Sequence, residues 1–478
     1  MTLRITLACS LLAATPVFAQ PAPKPPAPKS PARPAPTAPA AVDDLAAFDH
    51  DLDALFATGG LTSDQAASRA SGASPTVRRR VAELEAAVAQ EEAAELARVP
   101  VVSGRLSYTR LSPVAPFVIP NPITGMNVTI LSLENAYLGE AQLVVPLSDY
   151  VLRYPKLIDT ARLGAEIARI DKRSSEANAG QDARLAYYEW VRAKLQVLIS
   201  KLQLVQVQTT LVQLRALAEV QRLSKADLMR VEAQEADAEQ VVDQLGNLAA
   251  LREEQLRLLI GAAANEPLAV GEDIRADITA PAAEPLDDLV GAAKQHRLEF
   301  KAIDTGIQAK ESQRAAEQAN LYPRLSAFAI ADYADPNPRV FPQQDAFTFT
   351  WSIGAQLTWT LNDALISRTS DRRIAAEANE LRADRENLEH GTRIEVQAAQ
   401  QAVAIAWHAL ATTQKGLAAA EESYRVRKEL LNADRATALE LVDAETELTR
   451  SRIAALNARV DLRVARSQLD HALGNDAK

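Results

Sequence analysis

An uninterrupted alternation of apolar and polar residues runs from position 347 to position 361. The apolar positions are Phe347, Phe349, Trp351, Ile353, Ala355, Leu357, Trp359 and Leu361, and hydroxyl, amide or glycine residues separate them. Successive side chains of a strand point to opposite faces, so the segment predicts a strand with one apolar and one hydroxyl-rich face. Its length is about three times that of a usual strand. Such a strand is typical of a membrane β-barrel, although a half-buried strand of a soluble sheet would alternate in the same way.

A second segment, residues 131–147, repeats this alternation in the first half of the chain. The letters EAQLVVPLSD there match GAQLTWTLND in the second half, so that Gln142 corresponds to Gln356. Each half has the same order of predicted elements: a helix that ends before a proline, a strand, a loop, a second strand, a very long helix, a turn and a shorter helix. The chain is therefore an internal duplication.

The pattern places the boundaries of both repeats. The first repeat, residues 42–260, has strands at about 101–112 and 131–147, a long helix at about 149–222 and a shorter helix at about 226–260. After an inter-repeat segment, residues 261–285, the second repeat (286–474) has strands at about 324–333 and 346–361, a long helix at about 363–432 and a shorter helix at about 437–473. The helices that precede the strands are predicted from about Ser63 to Arg98 and from about Leu286 to Asn320. Asp149 and Asp363 are predicted to cap the long helices.

The long helices carry apolar residues at heptad spacing. In the first, one seam contains Tyr188, Val191, Leu195, Leu198, Leu202, Val205 and Val212, and a second contains Val197, Leu204, Val207, Leu211 and Leu214. Two seams on one helix indicate neighbours on both sides. A helix of this length reaches roughly 100 Å, which favours an extended coiled-coil wall over an ordinary bundle core.

The first residues have the features of an export signal. Residues 1–19 contain Arg4, a short apolar stretch and small residues before Gln20, which predicts a signal peptide that is cleaved after Ala19. Lipid attachment at the single cysteine, Cys9, is the alternative. Residues 20–41 are almost all proline and alanine, and we expect an extended linker there. No later stretch reaches the ~18 continuous apolar residues of a membrane helix.

Composition and motifs exclude several classes of function. The formal net charge is −10, which argues against a nucleic-acid surface. His50 lies among Asp49, Asp51 and Asp53, but that spacing scatters the side chains around a helix. There is no HExxH, GxSxG or phosphate-binding glycine motif. We therefore expect no catalytic residue, cofactor or metal, and no enzymatic activity.

The predicted strands are too few to cross a membrane within one chain. Each chain supplies four, whereas the smallest membrane barrels have ~8 strands and lipid cannot satisfy an open sheet edge. Several copies must therefore share one barrel. Two copies would give eight strands and three would give twelve.

The order of elements, repeated twice, resembles that of the TolC-type outer-membrane efflux family. The segments that carry the resemblance are LARVP and NLYPRLS before strands, VVPLSD and TWTLND after strands, and LMRVEAQ and LELVDAE after the turns. The resemblance implies a mainly α-helical fold with a β-barrel portion. In it, a homotrimer forms a twelve-strand barrel in outer-membrane lipid and long coiled-coil helices form a periplasmic α-barrel. A periplasmic adaptor and an inner-membrane pump are the implied partners. A periplasmic coiled-coil adaptor or structural protein is the alternative.

Two groups of residues are candidates for function in such a channel. The turns between long and short helices would face an adaptor; their residues are Leu223, Ser224, Lys225, Asp434 and Arg435. Members of the family often carry a glycine in these turns and, three residues later, a serine or threonine. This sequence departs from that pattern, of which only Thr437 in the second turn is present. Before the second turn, Glu421, Glu422 and Arg425 could form a charged periplasmic gate, or simply a solvated helix face.

Overall fold

The computed structural model describes residues 44–115, 117–120, 125, 127–130, 133–221, 223–276, 278–280, 284–341, 343–433 and 435–477. The predicted signal peptide, the proline-rich linker, Cys9 and Asp434 lie outside these residues. None of the helices in the described part of the chain has an apolar stretch long enough to cross a bilayer.

Ten α-helices and seven strands are found in the described residues. The helices are α1 (Asp44–Leu55), α2 (Ser63–Ala73), α3 (Pro75–Leu96), α4 (Leu147–Leu152), α5 (Tyr154–Glu219), α6 (Lys225–Leu259), α7 (Leu286–His296), α8 (Leu298–Gln318), α9 (Leu361–Asn432) and α10 (Ala438–Ala472). The strands are β1 (Phe56–Leu61), β2 (Val101–Arg110), β3 (Phe117–Pro120), β4 (Asn127–Ile130), β5 (Asn135–Val145), β6 (Arg324–Asp335) and β7 (Thr348–Thr358).

The main sheet joins the two halves of the chain. Its four strands are antiparallel in the order β2-β5-β6-β7, so each half contributes two neighbouring strands. A separate hairpin, β3-β4, lies in the connection between β2 and β5, where the sequence predicted only a loop. Helices α5 and α6 pack together, as do α9 and α10. The expectation of a mainly helical protein with four long strands is confirmed.

The long helix of the first half begins differently from the prediction. Residues 149–222 were expected to form one helix that Asp149 caps. Instead α4 begins at Leu147, and α5 begins at Tyr154 after a break at Arg153, with Pro155 in the first turn where its missing N–H costs nothing. Asp149 and Asp363 both lie inside helices that begin two residues earlier, so the predicted capping is wrong.

Two other predicted helices are each divided in two. The first is interrupted at Ser74, because the proline that follows it disfavours helical backbone at that position. The second is interrupted at Arg297, whose backbone is extended. In each half, the break lies beside the glycine that follows the shorter helix, α6 or α10.

These two glycines occupy equivalent places. Gly261 and Gly474 have φ angles of 64° and 72°, the left-handed conformation that ends many helices. A Cβ atom on Gly261 would lie 2.6 Å from the Cβ of Ala73, and one on Gly474 would lie 2.9 Å from the backbone nitrogen of Arg297. Close approach as well as backbone conformation therefore requires glycine here.

The largest buried cluster anchors α5 to both halves of the chain. Trp190 and Tyr187 of α5 are fully buried against residues that include Leu256 of α6 and Val460 of α10. Farther along α5, the second heptad seam is buried at Val207, Leu211 and Leu214. The first seam is buried only as far as Leu202 and is exposed at Val205 and Val212. Part of one seam is thus uncovered by the described residues of a single chain.

Candidate functional site

One face of the four-stranded sheet is almost wholly apolar. Residues directly opposite each other in an antiparallel pair share a face. The register therefore brings together Val102, Leu106, Tyr108, Tyr137, Ala141, Leu143, Val145, Leu325, Ala327, Ala329, Ala331, Tyr333, Phe349, Trp351, Ile353, Ala355 and Leu357. The large side chains are uncovered: Leu106 is 89% exposed, Ile353 75% and Trp351 62%. A continuous apolar surface of this kind marks contact with another protein or with lipid.

The opposite face of the same sheet is rich in hydroxyl, amide and charged groups. It carries Ser103, Arg105, Ser107, Thr109, Glu140, Gln142, Arg324, Ser326, Asp332, Thr348, Thr350, Ser352, Gln356 and Thr358. A few apolar residues interrupt it, among them Phe328, whose ring packs over Gly354. The alternation that the sequence showed at 347–361 therefore extends across all four strands.

Aromatic side chains lie at both ends of the apolar face. Near the loops, the rings of Tyr108 and Tyr137 have centroids 5.1 Å apart, and Tyr333 stacks on Phe347 at 5.1 Å. At the helical end, the indole nitrogen of Trp359 donates to the carbonyl of Leu321. Aromatic rings at two levels suit the two interfaces of a bilayer. Sequence reasoning missed the ring cluster, because its members come from four separate segments.

The outer strands β2 and β7 have open edges. Among the described strands each pairs with only one neighbour, so the N–H and C=O groups on its outer side have no partner strand there. Strands β2, β5 and β7 contain 10, 11 and 11 residues, which fits the ~9–11 residues of a tilted strand that crosses a bilayer, and β6 contains 12. Each chain therefore has two edges at which further strands can be added.

Both turns between long and short helices use the same cap. Ser224 accepts a hydrogen bond from the backbone nitrogen of Asp227 at 3.1 Å, and Thr437 accepts one from that of Glu440 at 3.3 Å. Ser224 is thus the structural counterpart of Thr437, a match that sequence comparison of the turns did not reveal. Three residues before Ser224, Gln221 has a φ of 63°, the conformation that glycine prefers.

The other predicted turn residues lie around these caps. Leu223 packs against the cluster that contains Val207 and Leu214, while Lys225 is exposed at the start of α6. The backbone nitrogen of Arg435 donates to the carbonyl of Leu430 at 2.8 Å, and its side chain is exposed.

The predicted gate residues are exposed on α9. The Arg425 guanidinium donates to Glu422 at 2.6 and 2.8 Å and to Glu429 at 2.8 Å, all within the same helix. These bonds lower the pKa of Glu422 and raise that of Arg425. Glu421 is exposed beside them.

Metal-ligating residues are not brought together in the described part of the chain. His50 is exposed, with its ring nitrogen 3.7 Å from Asp51. No group of three or more His, Cys, Asp or Glu side chains among the described residues is placed to hold a metal ion.

The overall architecture is shared with bacterial outer-membrane channels. CusC superposes with a TM-score of 0.72 at 16% identity, over 88% of this chain and 93% of CusC. VceC of Vibrio cholerae gives 0.68 at 16% identity over 90% and 96% of the two chains, and the open state of MtrE of Neisseria gonorrhoeae gives 0.70 at 14% over 87% and 89%. This chain has the TolC-type fold. No family model matches the sequence, and no curated protein is significantly similar to it, so at these identities the likeness concerns the fold alone.

A line of polar contacts in this TolC-type fold joins α5 of the first half to α10 of the second. Its four hydrogen bonds connect Ser467 with Gln181, Arg192 with Asp461, Gln196 with Asn457, and Thr210 with Glu445. We call these eight residues the α5–α10 seam. Heptad patterns describe only the apolar residues beside the seam, so sequence analysis did not find these polar contacts.

Glu445 is the buried carboxyl group of this seam. It is 1% exposed, and its Oε1 accepts from the Thr210 hydroxyl at 2.7 Å. Its Oε2 is buried without a hydrogen-bond partner. Burial therefore raises the pKa of Glu445 to about 7, against smaller opposing effects of Thr210 and Lys428. The proton is held more tightly in the folded than in the unfolded chain.

This shift predicts a stability that falls as pH rises. The contribution of Glu445 is fully present below its ordinary pKa of 4.5 and is lost as pH rises through about 7. Its size is on the order of 3 kcal/mol. We expect hydrogen-exchange protection of α5 and α10 around Thr210 and Glu445 to weaken between pH 5 and 8, after correction for intrinsic exchange rates. In Glu445→Gln, which is neutral at every pH, we expect that dependence to disappear.

Glu447→Gln is the matched control for this prediction. Glu447 lies on the same helix but is exposed and pairs with Arg450 at 3.3 Å. The control should keep the pH dependence of the unmodified protein. An unchanged pH dependence in Glu445→Gln would show that the buried carboxyl does not titrate in this range.

Proposed function

We propose that the chain is one subunit of an outer-membrane channel in which three copies close their sheets into a twelve-stranded barrel. The observation that carries the proposal is the sheet itself, with an uncovered apolar face, a polar face and two open edges. In lipid, every backbone group must be paired, so β2 of one copy would pair with β7 of the next. The apolar face would then contact lipid and the polar face would line a water-filled bore.

The helices of the proposed channel continue the bore into the periplasm. The exposed part of the α5 heptad seam, at Val205 and Val212, supports contact with a neighbouring copy there. The channel would act as a passive duct without bond chemistry. A coiled-coil adaptor would not need a lipid-facing sheet, which makes the alternative function less suitable.

The proposal also includes the partners of the channel. We infer that the turns around Leu223, Ser224, Lys225, Asp434 and Arg435 dock on a periplasmic adaptor, which connects the duct to an inner-membrane pump. The matching Ser224 and Thr437 caps support this inference, because they give both turns the same backbone form. Two similar turns per chain would offer a repeated surface to a ring of adaptor molecules.

The orientation of the barrel is tested by adjacent residues on opposite faces of β7. Lysine on the lipid face of a barrel costs about 2–4 kcal/mol per copy near the bilayer midplane, whereas lysine in the bore remains in water. We therefore expect Ile353→Lys to abolish recovery of a heat-modifiable oligomer from outer-membrane fractions. The control Ser352→Lys should assemble as the unmodified protein does. Equal behaviour of the two variants, or a soluble monomer from the unmodified chain, would contradict the proposal.

Docking at the turns is tested with a photo-crosslinking residue at position 224 or 435. We expect mass spectrometry to identify a periplasmic adaptor in the crosslinked product from cells. The same residue at position 92, exposed on α3, serves as the control. Capture of the adaptor from position 92 alone would place the docking surface elsewhere.

The gate is tested by neutralising Glu421 and Glu422 singly. If these carboxylates surround the periplasmic mouth, Glu421→Gln and Glu422→Gln should each lower the cation selectivity of single channels in planar bilayers. Conductance and selectivity equal to those of the unmodified channel would remove both residues from the gate and leave them as a solvated helix face.

A further inference from the structure

The strand register places three charged residues side by side on the polar face of the sheet. Arg105 of β2 lies opposite Glu140 of β5, and Glu140 lies opposite Asp332 of β6. Thr350 of β7 completes the row. Because directly opposite residues share a face, all four side chains lie at one level across the sheet.

This row contains nearly all the charge of the polar face. The next row toward the helices is Ser103, Gln142, Ile330 and Ser352, and the next toward the loops is Ser107, Leu138, Ala334 and Thr348. Neither contains a charged residue. The other charged residue of the polar face in these strands is Arg324, at the helical end of β6. The sequence separates Arg105, Glu140 and Asp332 widely, and only the pairing of strands unites them.

The charges of the row are not used to hold the single chain together. Arg105 is exposed, and no ion pair joins it to Glu140 among the described residues. Oδ1 of Asp332 is buried without a hydrogen-bond partner. No ion pair among the described residues neutralises the Asp332 carboxylate, so its charge is not compensated within one chain.

We propose that Arg105, Glu140 and Asp332 form a charged belt around the bore that makes the channel favour cations. The inference rests on the function proposed above, because only closure of the sheets places the rows of neighbouring copies around one bore, where the tilt of the strands spreads each row over a short height. Two carboxylates and one guanidinium give each chain a net charge of −1 at this level. In a ring of three copies, the belt carries three excess negative charges facing water between low-dielectric walls.

The belt should act most strongly at low ionic strength. The Debye length is about 8 Å at 0.15 M salt and about 30 Å at 0.01 M, so the field of the belt extends farther across the bore in dilute salt. Ion selectivity measured across a KCl gradient of low concentration is therefore the sharpest readout. Neutralising an acid and neutralising the arginine must change it in opposite directions.

The experiment measures reversal potentials of the full-length channel in planar bilayers. We expect Glu140→Gln and Asp332→Asn each to lower the ratio of potassium to chloride permeability about twofold or more, and Arg105→Gln to raise it by a similar factor. Glu134→Gln is the matched control, because Glu134 precedes the same strand, pairs with Arg110 and lies outside the row. The control should keep the ratio of the unmodified channel.

The outcomes distinguish failure of the belt from failure of the proposed channel function. If the unmodified protein conducts and both acid variants keep its reversal potential, the belt is refuted and the channel stands. A shift of Arg105→Gln in the same direction as Glu140→Gln would also refute it, because charge would not be the cause. If the unmodified protein assembles in the bilayer but forms no conducting pore, the proposed function fails and the belt fails with it. Recovery of heat-modifiable oligomers for each variant shows that the substitutions leave assembly intact.

Discussion

The open edges of the sheet are the constraint on which the rest of the architecture depends. A sheet of four strands leaves a row of backbone donors and acceptors along β2 and another along β7. Water can satisfy them but lipid cannot, and the apolar face beside them is suited to lipid. Lipid suits the apolar face but would leave the edges of a single sheet unpaired. Both conditions are met together when the edges of different copies pair with each other. The duplication, the length of the strands and the sharp division between the faces are consistent with this single requirement.

The helices, like the sheet, leave an apolar surface uncovered within one chain. Trp190 and its neighbours hold α5 within its own chain, but the exposed Val205 and Val212 leave part of a heptad seam uncovered. Helices α5 and α9 each pack against several helices of the same chain, and the uncovered part of the α5 seam remains available to a further neighbour. In the proposed trimer, adjacent copies would complete the strands through backbone hydrogen bonds and the helices through apolar side chains.

Much of this fold follows from periodicity alone. The alternation at 347–361 predicts β7 and its two faces, and the heptads predict α5 and α9, because both patterns are local consequences of backbone geometry. The breaks at Arg153 and Arg297 and the caps at Ser224 and Thr437 were missed, since each depends on a neighbour or on backbone angles that composition does not encode. The charged row needed the register of three strand pairs. Glu445 was missed because a polar residue at a helical position is ordinarily read as exposed.

The α5–α10 seam has a mechanical consequence for the two halves of the chain. Separating two interlocked apolar surfaces opens a void, which costs several kcal/mol for each large side chain that loses its contacts. Separating side-chain hydrogen bonds costs only about 0.5–1.5 kcal/mol each, because water replaces the lost partner. Along the seam, Gln196–Asn457 and Arg192–Asp461 can exchange with water in this manner. Apolar contacts between the same two helices, such as that of Val460 with the Trp190 cluster, cannot exchange with water, so the halves of the duplication stay joined there while the polar stretches between them can loosen.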